Sequence, residues 1–454
     1  MCGIAGFVGA RDDGEDVLRR MLQKLRRRGP DGEGIEIFDN EAFLGHRRLS
    51  IIDLEGGRQP MSNEDDSLWL TFNGEIFNFQ ELTQQLQKKG HQFKTQSDSE
   101  VILHLYEEFG PAGFEQLNGM FAFALWDRKN KELILARDRF GIKPLYYAKT
   151  PKGIVFASEL TALAAHPDVC RDISTIDLKS YFFSDYIIGP STILSGVNKL
   201  LPGQYLDGSG EPRYYWEPNS LLTEPKFQSE SDWIEETRAS LETAVKRQLV
   251  ADVPVGAFLS GGIDSSVITC MAAKHGPIQT FSIGFEQKSF DESPWAKDVA
   301  DQIGSEHHEQ IVDQQLLLDS IDDALDSLDE PLGDSSILPT YLVSKFASER
   351  VKVVIGGDGG DELFAGYPTY IAHKLSWIYA AAPKWMRTHL IERVIRSLPA
   401  KTSYMSLEWK LKRFASDNTV DRCLLVHSGT SFVSADGGDQ CVNVRAVQDR
   451  WIEE

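Results

Sequence analysis

VPVGAFLSGGIDSSVITCMAAKHG, residues 253–276, contains a short apolar run, then a loop with two adjacent glycines, and then a helical pattern. The apolar run predicts a buried strand, and the segment after the glycines predicts a helix. A strand that passes through a glycine loop into a helix is the unit of α/β folds with parallel sheets. The stretch therefore predicts an α/β domain in the C-terminal half of the chain.

The rest of the C-terminal half repeats this alternation. Helices are predicted at 231–250, 293–304 and 337–350, and strands at 278–285 and 351–357. Ser293 and Pro294 are expected to be the N-cap and the first residue of one of these helices. The alternation predicts a parallel sheet with helices on its faces.

The N-terminal half has a different pattern, in which short strands are separated by turns. Strand-like runs occur at 118–127, 131–138, 144–150 and 153–158. Asn73-Gly74, flanked by β-forming residues, predicts a hairpin turn. Helices are predicted at 78–90 and at 97–110, the second beginning with a capping box of Ser97 and Glu100. These patterns predict an α+β domain with a mostly antiparallel sheet.

A segment rich in glycine and proline separates the two patterns. Residues 206–228 show little periodicity and are predicted to be a linker. We therefore expect a first domain at 1–205 and a second domain at 229–454.

Composition limits the kind of protein. The chain has 454 residues, a net charge of −21 and five cysteines, none of them in C-x-x-C spacing. The negative charge argues against a partner such as nucleic acid or an anionic membrane, and the basic run in RRRGPDGEG is too short to change that. An odd number of cysteines, no signal peptide and no membrane-spanning stretch predict a cytoplasmic protein in a reducing compartment.

Two glycine-rich loops follow predicted strands of the C-terminal half. FLSGGIDSS, 258–266, offers glycines, three serine hydroxyls and a helix N-terminus, which suit a phosphate group, although it is not a Walker A loop. VIGGDGGDELFAGY, 354–367, carries the carboxylates of Asp358, Asp361 and Glu362, which suit Mg²⁺ beside phosphate. Each loop taken alone is also compatible with an ordinary turn that binds no ligand. EHHEQ at 306–310 predicts a solvated segment, because adjacent histidines project to opposite faces.

Cys2 directly follows the initiator methionine. If Met1 is removed, Cys2 carries a free α-amine with an ordinary pKa of about 7.7–8.0. That amine can act as the general base for the thiol of the same residue. The alternative is a small apolar residue without a catalytic role.

Ten motifs occur in order along the chain: MCGIAGF, RRRGPDGEG, GHRRLSIID, FNGEIFN, SDSEVIL, GMFAFALWD, ARDRFGIKPLYY, FASEL, FLSGGIDSS and GGDGGDELFAGY. Together they resemble the glutamine-hydrolysing asparagine synthetases and their close amidotransferase relatives, from residue 1 to about residue 415. The resemblance implies an αββα N-terminal nucleophile hydrolase sandwich of the α+β class, followed by an α/β Rossmann-like ATP pyrophosphatase domain.

The resemblance implies a glutaminase site in the first domain. Cys2 would attack the side-chain amide of glutamine, and Asn73 and Gly74 would stabilise the oxyanion. Arg48 would bind the carboxylate of glutamine, and Glu75 and Asp98 its ammonium group. The implied glutamine-binding residues are Arg48, Leu49, Ser50, Ile51, Ile52, Asn73, Gly74, Glu75 and Asp98.

The resemblance implies ATP and Mg²⁺ in the second domain, where an acceptor carboxylate becomes an adenylate. The implied ATP-binding residues are Leu259, Ser260, Gly261, Gly262, Asp264, Ser265, Ser266, Ile283, Gly356 and Gly357. Asp264 and Asp361 would hold Mg²⁺, and Asp358 would act on the acceptor reaction. Ammonia from Cys2 would reach the adenylate inside the protein.

Two features depart from the family pattern. Asp358 stands where the asparagine-forming enzymes carry a glutamate, so its carboxylate is one methylene shorter. After about residue 416 the sequence is unlike the family, which predicts an incomplete synthetase half, poor asparagine formation and a poorly ordered tail.

Three functions therefore stay open: a glutamine-dependent asparagine synthetase, a related amidotransferase acting on another carboxylate, and a glutaminase or regulatory protein that binds nucleotide without making a product. The partners implied are small molecules, namely glutamine and aspartate or another carboxylate. No nucleic acid or membrane is implied, and a homodimer is compatible with each function.

Overall fold

The computed structural model describes residues 1–218, 229–399, 406–408 and 410–412. Part of the predicted linker, 219–228, and the predicted tail after about residue 416 lie outside the described residues. Among the helices of the described segments, none has the length and apolar character needed to cross a bilayer.

The strands of the N-terminal half form two sheets. They are β1 (Gly3–Val8), β2 (Gly32–Phe38), β3 (Ala42–Arg48), β4 (Met61–Ser62), β5 (Leu68–Ile76), β6 (Gly119–Asp127), β7 (Glu132–Arg137), β8 (Tyr146–Thr150), β9 (Gly153–Ala157), β10 (Val197–Lys199), β11 (Gln204–Leu206) and β12 (Pro212–Tyr214). The first sheet has the order β10-β8-β9-β1-β3-β2 and the second β12-β11-β7-β6-β5-β4. Neighbouring strands are antiparallel throughout, which confirms the predicted sheet type.

The helices of this half are α1 (Gly14–Lys24), α2 (Phe79–Lys88), α3 (Glu100–Phe109), α4 (Leu160–Leu163) and α5 (Thr175–Ser184), with 3₁₀ turns at Leu25–Arg27 and Gly110–Gln116. Helices α2 and α3 agree with the prediction from the sequence, whereas α1 was not predicted. Val17, Leu18, Met21 and Leu22 are fully buried on one face of α1, at helical spacing.

Three apolar clusters separate four layers. One cluster packs Leu18 and Met21 of α1 against the first sheet. A second lies between the two sheets and includes Ile4 of β1. A third packs Leu82 of α2 and Ile102 of α3 against the second sheet. The order is therefore helix, sheet, sheet, helix, and β1 is buried on both faces because each face meets another layer.

The C-terminal half contains one parallel sheet of β13 (Val255–Phe258), β14 (Gln279–Phe285), β15 (Glu306–Val312) and β16 (Val353–Ile355), in the order β15-β14-β13-β16. Its described helices are α6 (Glu230–Gln248), α7 (Ile263–Ala273), α8 (Ser293–Ile303), α9 (Gln314–Asp319), α10 (Ile321–Leu325), α11 (Ile337–Ser348), α12 (Gly360–Phe364), α13 (Pro368–Ala381), α14 (Lys384–Met386) and α15 (Glu392–Arg396), with a π-helical turn at Arg387–Ile391.

Helices cover both faces of this sheet. Ala257 of β13 packs with α6 and α7, whereas Phe281 of β14 packs with α11. The parallel sheet predicted from the alternation is therefore confirmed.

The hairpin predicted at Asn73-Gly74 is wrong. Strand β5 runs straight through both residues, and they pair with Ala122 and Phe121 of β6. A Cβ at Gly74 would lie 2.2 Å from the carbonyl oxygen of Met120. The glycine permits close approach of two strands, so sheet pairing overrides the local turn preference of Asn-Gly.

Two helix starts also differ from prediction. Helix α3 has Ser99 as its N-cap, and the Glu100 carboxylate accepts hydrogen bonds from Lys94 N and Thr95 N at 2.7 and 2.8 Å, so the Ser97 capping box is wrong. Helix α8 is capped by Glu292, which makes Ser293 its first residue rather than its cap.

Two segments predicted to lack regular structure contain strands. EHHEQ lies in β15, and the His307 ring is hydrogen-bonded to Thr280 and Ser282. The prediction that this segment is solvated is therefore wrong at His307. Within the predicted linker, residues 212–214 form β12, and Trp216 is buried.

Carboxylates of the C-terminal half join the two halves. Asp329 accepts hydrogen bonds from the backbone N–H groups of Leu160 and Thr161. Glu330 accepts from Ile193 N at 3.1 Å and pairs with Lys199 at 2.6 Å. Burial raises the pKa of Asp329 to about 6.

Candidate active sites

Cys2 lies immediately before β1, which is an inner strand of the first sheet. The backbone N–H of Leu49 donates to its sulfur at 3.4 Å, and the Arg28 Nε donates to its carbonyl oxygen at 2.9 Å. Burial raises the pKa of the Cys2 thiol. The thiol is therefore fixed in position and needs a base to become a nucleophile.

The α-amino group of Met1, next to Cys2, shows how these surroundings act on an amine. Burial lowers its pKa from 8.0 to about 6. An amine with such a pKa is mostly neutral at pH 7 and can accept a proton.

Asn73 presents a buried amide to the neighbourhood of β1. Its strand, β5, packs against β1. The side chain is fully buried, and neither its Nδ2 nor its Oδ1 has a hydrogen-bond partner among the described residues. A buried amide without partners costs about 1–3 kcal/mol, so its position requires an explanation.

Asp98 and Glu75 are two carboxyl groups in a poorly solvated region. The Asp98 carboxylate accepts a hydrogen bond from Ile76 N at 2.8 Å. Burial, with a smaller contribution from the nearby charge of Glu75, raises the pKa of Asp98 to about 7. Burial also raises the pKa of Glu75, and the charge of Lys143 opposes this. A cationic group placed here would restore both carboxylates to the charged form.

Arg48 ends β3 and holds the loop that follows it. Its guanidinium donates to the carbonyl oxygens of Asp53 at 2.6 Å, Leu54 at 3.0 Å and Ile52 at 3.4 Å. The predicted residues Leu49, Ser50, Ile51 and Ile52 form this loop. The structure therefore brings this loop to Cys2 through Leu49. Some of the N–H donors of Arg48 are already used by the loop carbonyl oxygens.

Lys143 lies beside this candidate site and was not predicted from the sequence. It is 5% exposed, and its Nζ lies 3.1 Å from the sulfur of Met1. Burial lowers its pKa, and its charge acts on both Glu75 and the Met1 amine. The sequence contains one signal for this position: Lys143 directly precedes the apolar run PLYYA, and a lysine there is expected to be buried. Buried lysines are rare without a partner, so such a lysine points to a nearby charged group.

The first glycine-rich loop joins β13 to α7. Gly261 has a φ of +82°, and a Cβ there would lie 2.5 Å from the Cβ of Trp295, so both conformation and space require glycine. The hydroxyls of Ser260 and Ser265 are 3.0 Å apart. The Ser266 hydroxyl is buried and has no protein partner in the described segments.

The second loop meets the first. A Cβ at Gly357 would lie 2.8 Å from Ser265 N, and one at Gly360 would lie 2.6 Å from the Asp264 carboxyl carbon. Burial raises the pKa of Asp361, and the charges of Asp264 and Glu362 raise it further.

The other predicted nucleotide-site residues lie on the same strands and loops. Leu259 is buried at the end of β13 and Ile283 is half-buried in β14. In the second loop, the Asp358 carboxylate fills the space beside Gly356. The two loops therefore form one polar rim at the carboxyl ends of β13 and β16, where ligands bind in open α/β sheets.

Two family models match the chain. The glutamine amidotransferase domain model matches residues 1–216, and the asparagine synthase model matches residues 236–428. The chain therefore joins a glutamine amidotransferase domain to an asparagine synthase domain.

Curated relatives are similar over most of the chain. Glutamine-hydrolysing asparagine synthetase 1 of Bacillus subtilis (strain 168) is 38% identical over 381 residues, which cover 82% of this chain and 59% of that protein. Putative glutamine-hydrolysing asparagine synthetase 2 of Methanocaldococcus jannaschii is 36% identical over 420 residues, covering 85% of this chain and 79% of that protein. The chain belongs to the glutamine-hydrolysing asparagine synthetase family, and it spans about three fifths of the length of the Bacillus protein.

Among solved structures, the glutamine phosphoribosylpyrophosphate amidotransferase of B. subtilis has a TM-score of 0.36 and 18% sequence identity, covering 68% of this chain and 65% of that one.

Proposed function

We propose that the chain makes asparagine with ammonia taken from glutamine. Glutamine is hydrolysed at Cys2, aspartate is activated by ATP as an adenylate, and ammonia displaces AMP from that adenylate. The products are asparagine, glutamate, AMP and pyrophosphate. The observation that carries the glutaminase part is the buried, unpartnered amide of Asn73 on the strand that packs against the nucleophile strand.

The first half reaction uses groups that are already in place. Removal of Met1 gives Cys2 a free α-amine, and this amine takes the thiol proton while the sulfur attacks the glutamine amide carbon. Asn73 Nδ2 and the Gly74 N–H donate to the oxyanion that forms, which gives the amide its missing partner. Ammonia leaves, and water then releases glutamate from the thioester.

The charged ends of glutamine match the groups around the thiol. Its ammonium group pairs with Asp98 and Glu75, two carboxyls whose buried surroundings favour a cationic partner. Its carboxylate binds the donors of Arg48 that remain free of the loop carbonyls. Binding at both ends orients the side-chain amide toward Cys2.

The second half reaction belongs to the two glycine-rich loops. We propose that the parallel sheet of order β15-β14-β13-β16 is the Rossmann-like core of an ATP pyrophosphatase domain, with pyrophosphate bound at 260–266 and adenosine near Leu259, Ile283 and Gly356-Gly357. The unpartnered Ser266 hydroxyl and the N-terminus of α7 fit a phosphate group.

The same rim fits Mg²⁺. Asp264 and Asp361 lie close enough that their charges raise the pKa of Asp361, and a divalent cation between them removes that repulsion. Asp264 and Asp361 would hold the ion, which neutralises phosphate charge when bound. Asp358 remains free to face the acceptor.

A related amidotransferase activity is the second candidate. Asp358 is a methylene shorter than the family glutamate, and we infer that the shorter side chain leaves room for a larger acceptor carboxylate.

One assay distinguishes these functions. The full chain is incubated with glutamine, Mg-ATP and either aspartate or another carboxylate, and glutamate, AMP and asparagine are measured together. Equal AMP and asparagine support the proposal. AMP that appears only with another carboxylate supports the second candidate, and glutamate without AMP contradicts the synthetase part. Cys2→Ala should lose glutamate formation, and Cys170→Ala is its matched control, because Cys170 is a free, exposed cysteine.

A further inference from the structure

Four potential metal ligands from three separate segments meet on the outside of the second sheet. Glu64 lies in the turn between β4 and β5, His91 follows α2, and His104 and Glu107 belong to α3. One ligand atom from each residue lies within 4.8 Å of the others. No residue of this cluster has a part in the proposed reaction.

His104 is buried beside carboxylates but makes no hydrogen bond of normal geometry to the described residues. It is fully buried, and neither ring nitrogen has a hydrogen-bond partner in the described segments. Its ring packs against Phe93 and His91, at 4.4 and 5.0 Å between ring centroids. Leaving two ring nitrogens buried without hydrogen bonds is costly, and Nδ1 lies near the carboxylates of Glu64 and Glu107.

The distances correspond to a tetrahedral metal site. His104 Nδ1 is 3.6 Å from both Glu64 Oε2 and Glu107 Oε2, and His91 Nδ1 is 3.4 Å from Glu107 Oε2. Ligand atoms at about 2.1 Å from a tetrahedral Zn²⁺ are about 3.4 Å apart. These three separations are too long for hydrogen bonds of normal length but are close to the edges of that tetrahedron, and the other three pairs of ligand atoms lie within 4.8 Å of each other.

The outer nitrogens of both histidines face further carboxylates. His91 Nε2 is bonded to Glu108 at 3.2 Å, and His104 Nε2 is 3.6 Å from Glu100. Glu100 is itself held by two backbone N–H groups of residues 94 and 95. A carboxylate behind each metal-binding imidazole is the usual arrangement in protein zinc sites, because it orients the ring and increases its basicity.

We propose that Glu64, His91, His104 and Glu107 bind one divalent transition-metal ion, with Zn²⁺ as the preferred ion. Two imidazoles and two carboxylates suit zinc, and four protein ligands leave no position for a substrate, so the site is structural. Glu64 and Glu107 are 33% and 36% exposed, which leaves the ion a path from solvent.

The site would join α3 to the two loops beside it. Helix α3 begins two residues after Asp98, so the metal would fix the segment that carries Asp98. The alternative is a metal-free cluster in which protonated histidines pair with the glutamates. A measurement of zinc binding distinguishes the metal site from this alternative.

The full-length chain is loaded with zinc, dialysed against zinc-free buffer and analysed by elemental mass spectrometry. We expect about one zinc per chain, no zinc in His91→Ala, and affinity reduced about tenfold in Glu108→Gln. His91 is partly exposed, so its substitution spares the core better than that of His104. His166→Ala is the matched control, because His166 is buried, its Nε2 has no hydrogen-bond partner in the described part of the chain, and it lies outside the cluster.

Co²⁺ in place of zinc identifies the ligands. We expect the visible absorption of tetrahedral Co²⁺ without a sulfur-to-metal charge-transfer band, which excludes the cysteines as ligands. Zinc should also raise the unfolding temperature of the wild-type chain and of His166→Ala, and leave that of His91→Ala unchanged. Wild-type protein that retains no zinc, or His91→Ala that retains as much as wild type, would overturn the proposal.

Discussion

Asp53 donates its backbone N–H to the carboxylate of Asp252 at 2.7 Å, and Asp252 donates its own N–H to the carbonyl oxygen of Ile51 at 2.9 Å. This pair joins the loop after Arg48 to the segment that leads into β13. A second link runs from Lys352, directly before β16, to Asp31 at 2.7 Å, and Asp31 accepts from Ser50 N at 2.9 Å. The proposed glutamine loop is thus attached to both strands that carry the proposed nucleotide loops.

Substitution of Asp252 tests this connection. Asp252→Ala removes one hydrogen bond to the glutamine loop, which is worth about 1 kcal/mol, or about fivefold. We expect the KM for glutamine to rise about fivefold while ammonia-dependent AMP formation is unchanged. Asp301→Ala, an exposed carboxylate in α8, is the control. If glutamine KM is the same in both variants, the link has no effect on glutamine binding.

Cys2→Ala should abolish glutamate formation and preserve synthesis from added ammonia, because only the first half reaction uses the thiol. Intact-mass measurement of the active wild-type chain should show that Met1 is absent, since the proposed base is the α-amine of Cys2. Active enzyme that retains Met1 throughout would contradict that base.

Asn73→Ala should lower kcat for glutamine hydrolysis by about 10²–10³, with little change in KM, because an oxyanion donor acts in the transition state. Asn78→Ala is the control: its side chain bonds Gln116 and Asn118 at the start of α2, so only stability should fall. A loss that appears entirely in KM would assign Asn73 to ground-state binding instead.

The Asp98 carboxyl predicts how glutamine binding depends on pH. Its pKa of about 7 in the free protein means that the charged form, which pairs with the ammonium group, dominates above pH 7 and is lost below it. In the Cys2→Ala chain, calorimetry should show glutamine affinity falling about tenfold per pH unit below pH 7. Asp98→Asn should weaken binding about 10- to 100-fold and remove this pH dependence. An unchanged pH profile would exclude Asp98 as the ammonium partner.

Asp264→Ala should abolish stabilisation of the chain by Mg-ATP. Ligand at about 100 times its Kd stabilises a folded protein by about 2.7 kcal/mol, which a thermal unfolding experiment detects. Asp298→Ala, an exposed carboxylate in α8, should retain the full shift. Equal shifts in both variants would place the nucleotide elsewhere.

Local sequence signals predicted most of the helices and strands but not the pairing between segments that are distant in the sequence. Strands β6 to β9 and helices α2, α3, α7 and α11 were predicted because each carries its periodicity and end signals within its own residues. Asn73-Gly74 was misassigned because its turn preference is local, whereas the pairing of Gly74 with Phe121 comes from a distant segment.

The same contrast holds for the candidate functional sites: local motifs predicted some of their residues, and long-range packing revealed the others. Ordered motifs predicted the residues around Cys2 and in the two glycine-rich loops. Lys143 carried only a weak signal, and the cluster of Glu64, His91, His104 and Glu107 carried none. Its members come from three segments with no ligand spacing of their own, so only the packing of α3 against its neighbouring loops reveals it.

The position of β1 has a consequence for biosynthesis. Strand β1 pairs with β3 and with β9. The ribosome makes β3 soon after β1, but it makes β9 only after the central strands of the second sheet, β5 to β7. Pairings so distant in sequence form late in folding. A nascent or unfolded chain therefore carries Cys2 as an ordinary solvated thiol. The sulfur is desolvated and reaches the Asn73 amide only after the first sheet has closed and has packed against the second sheet.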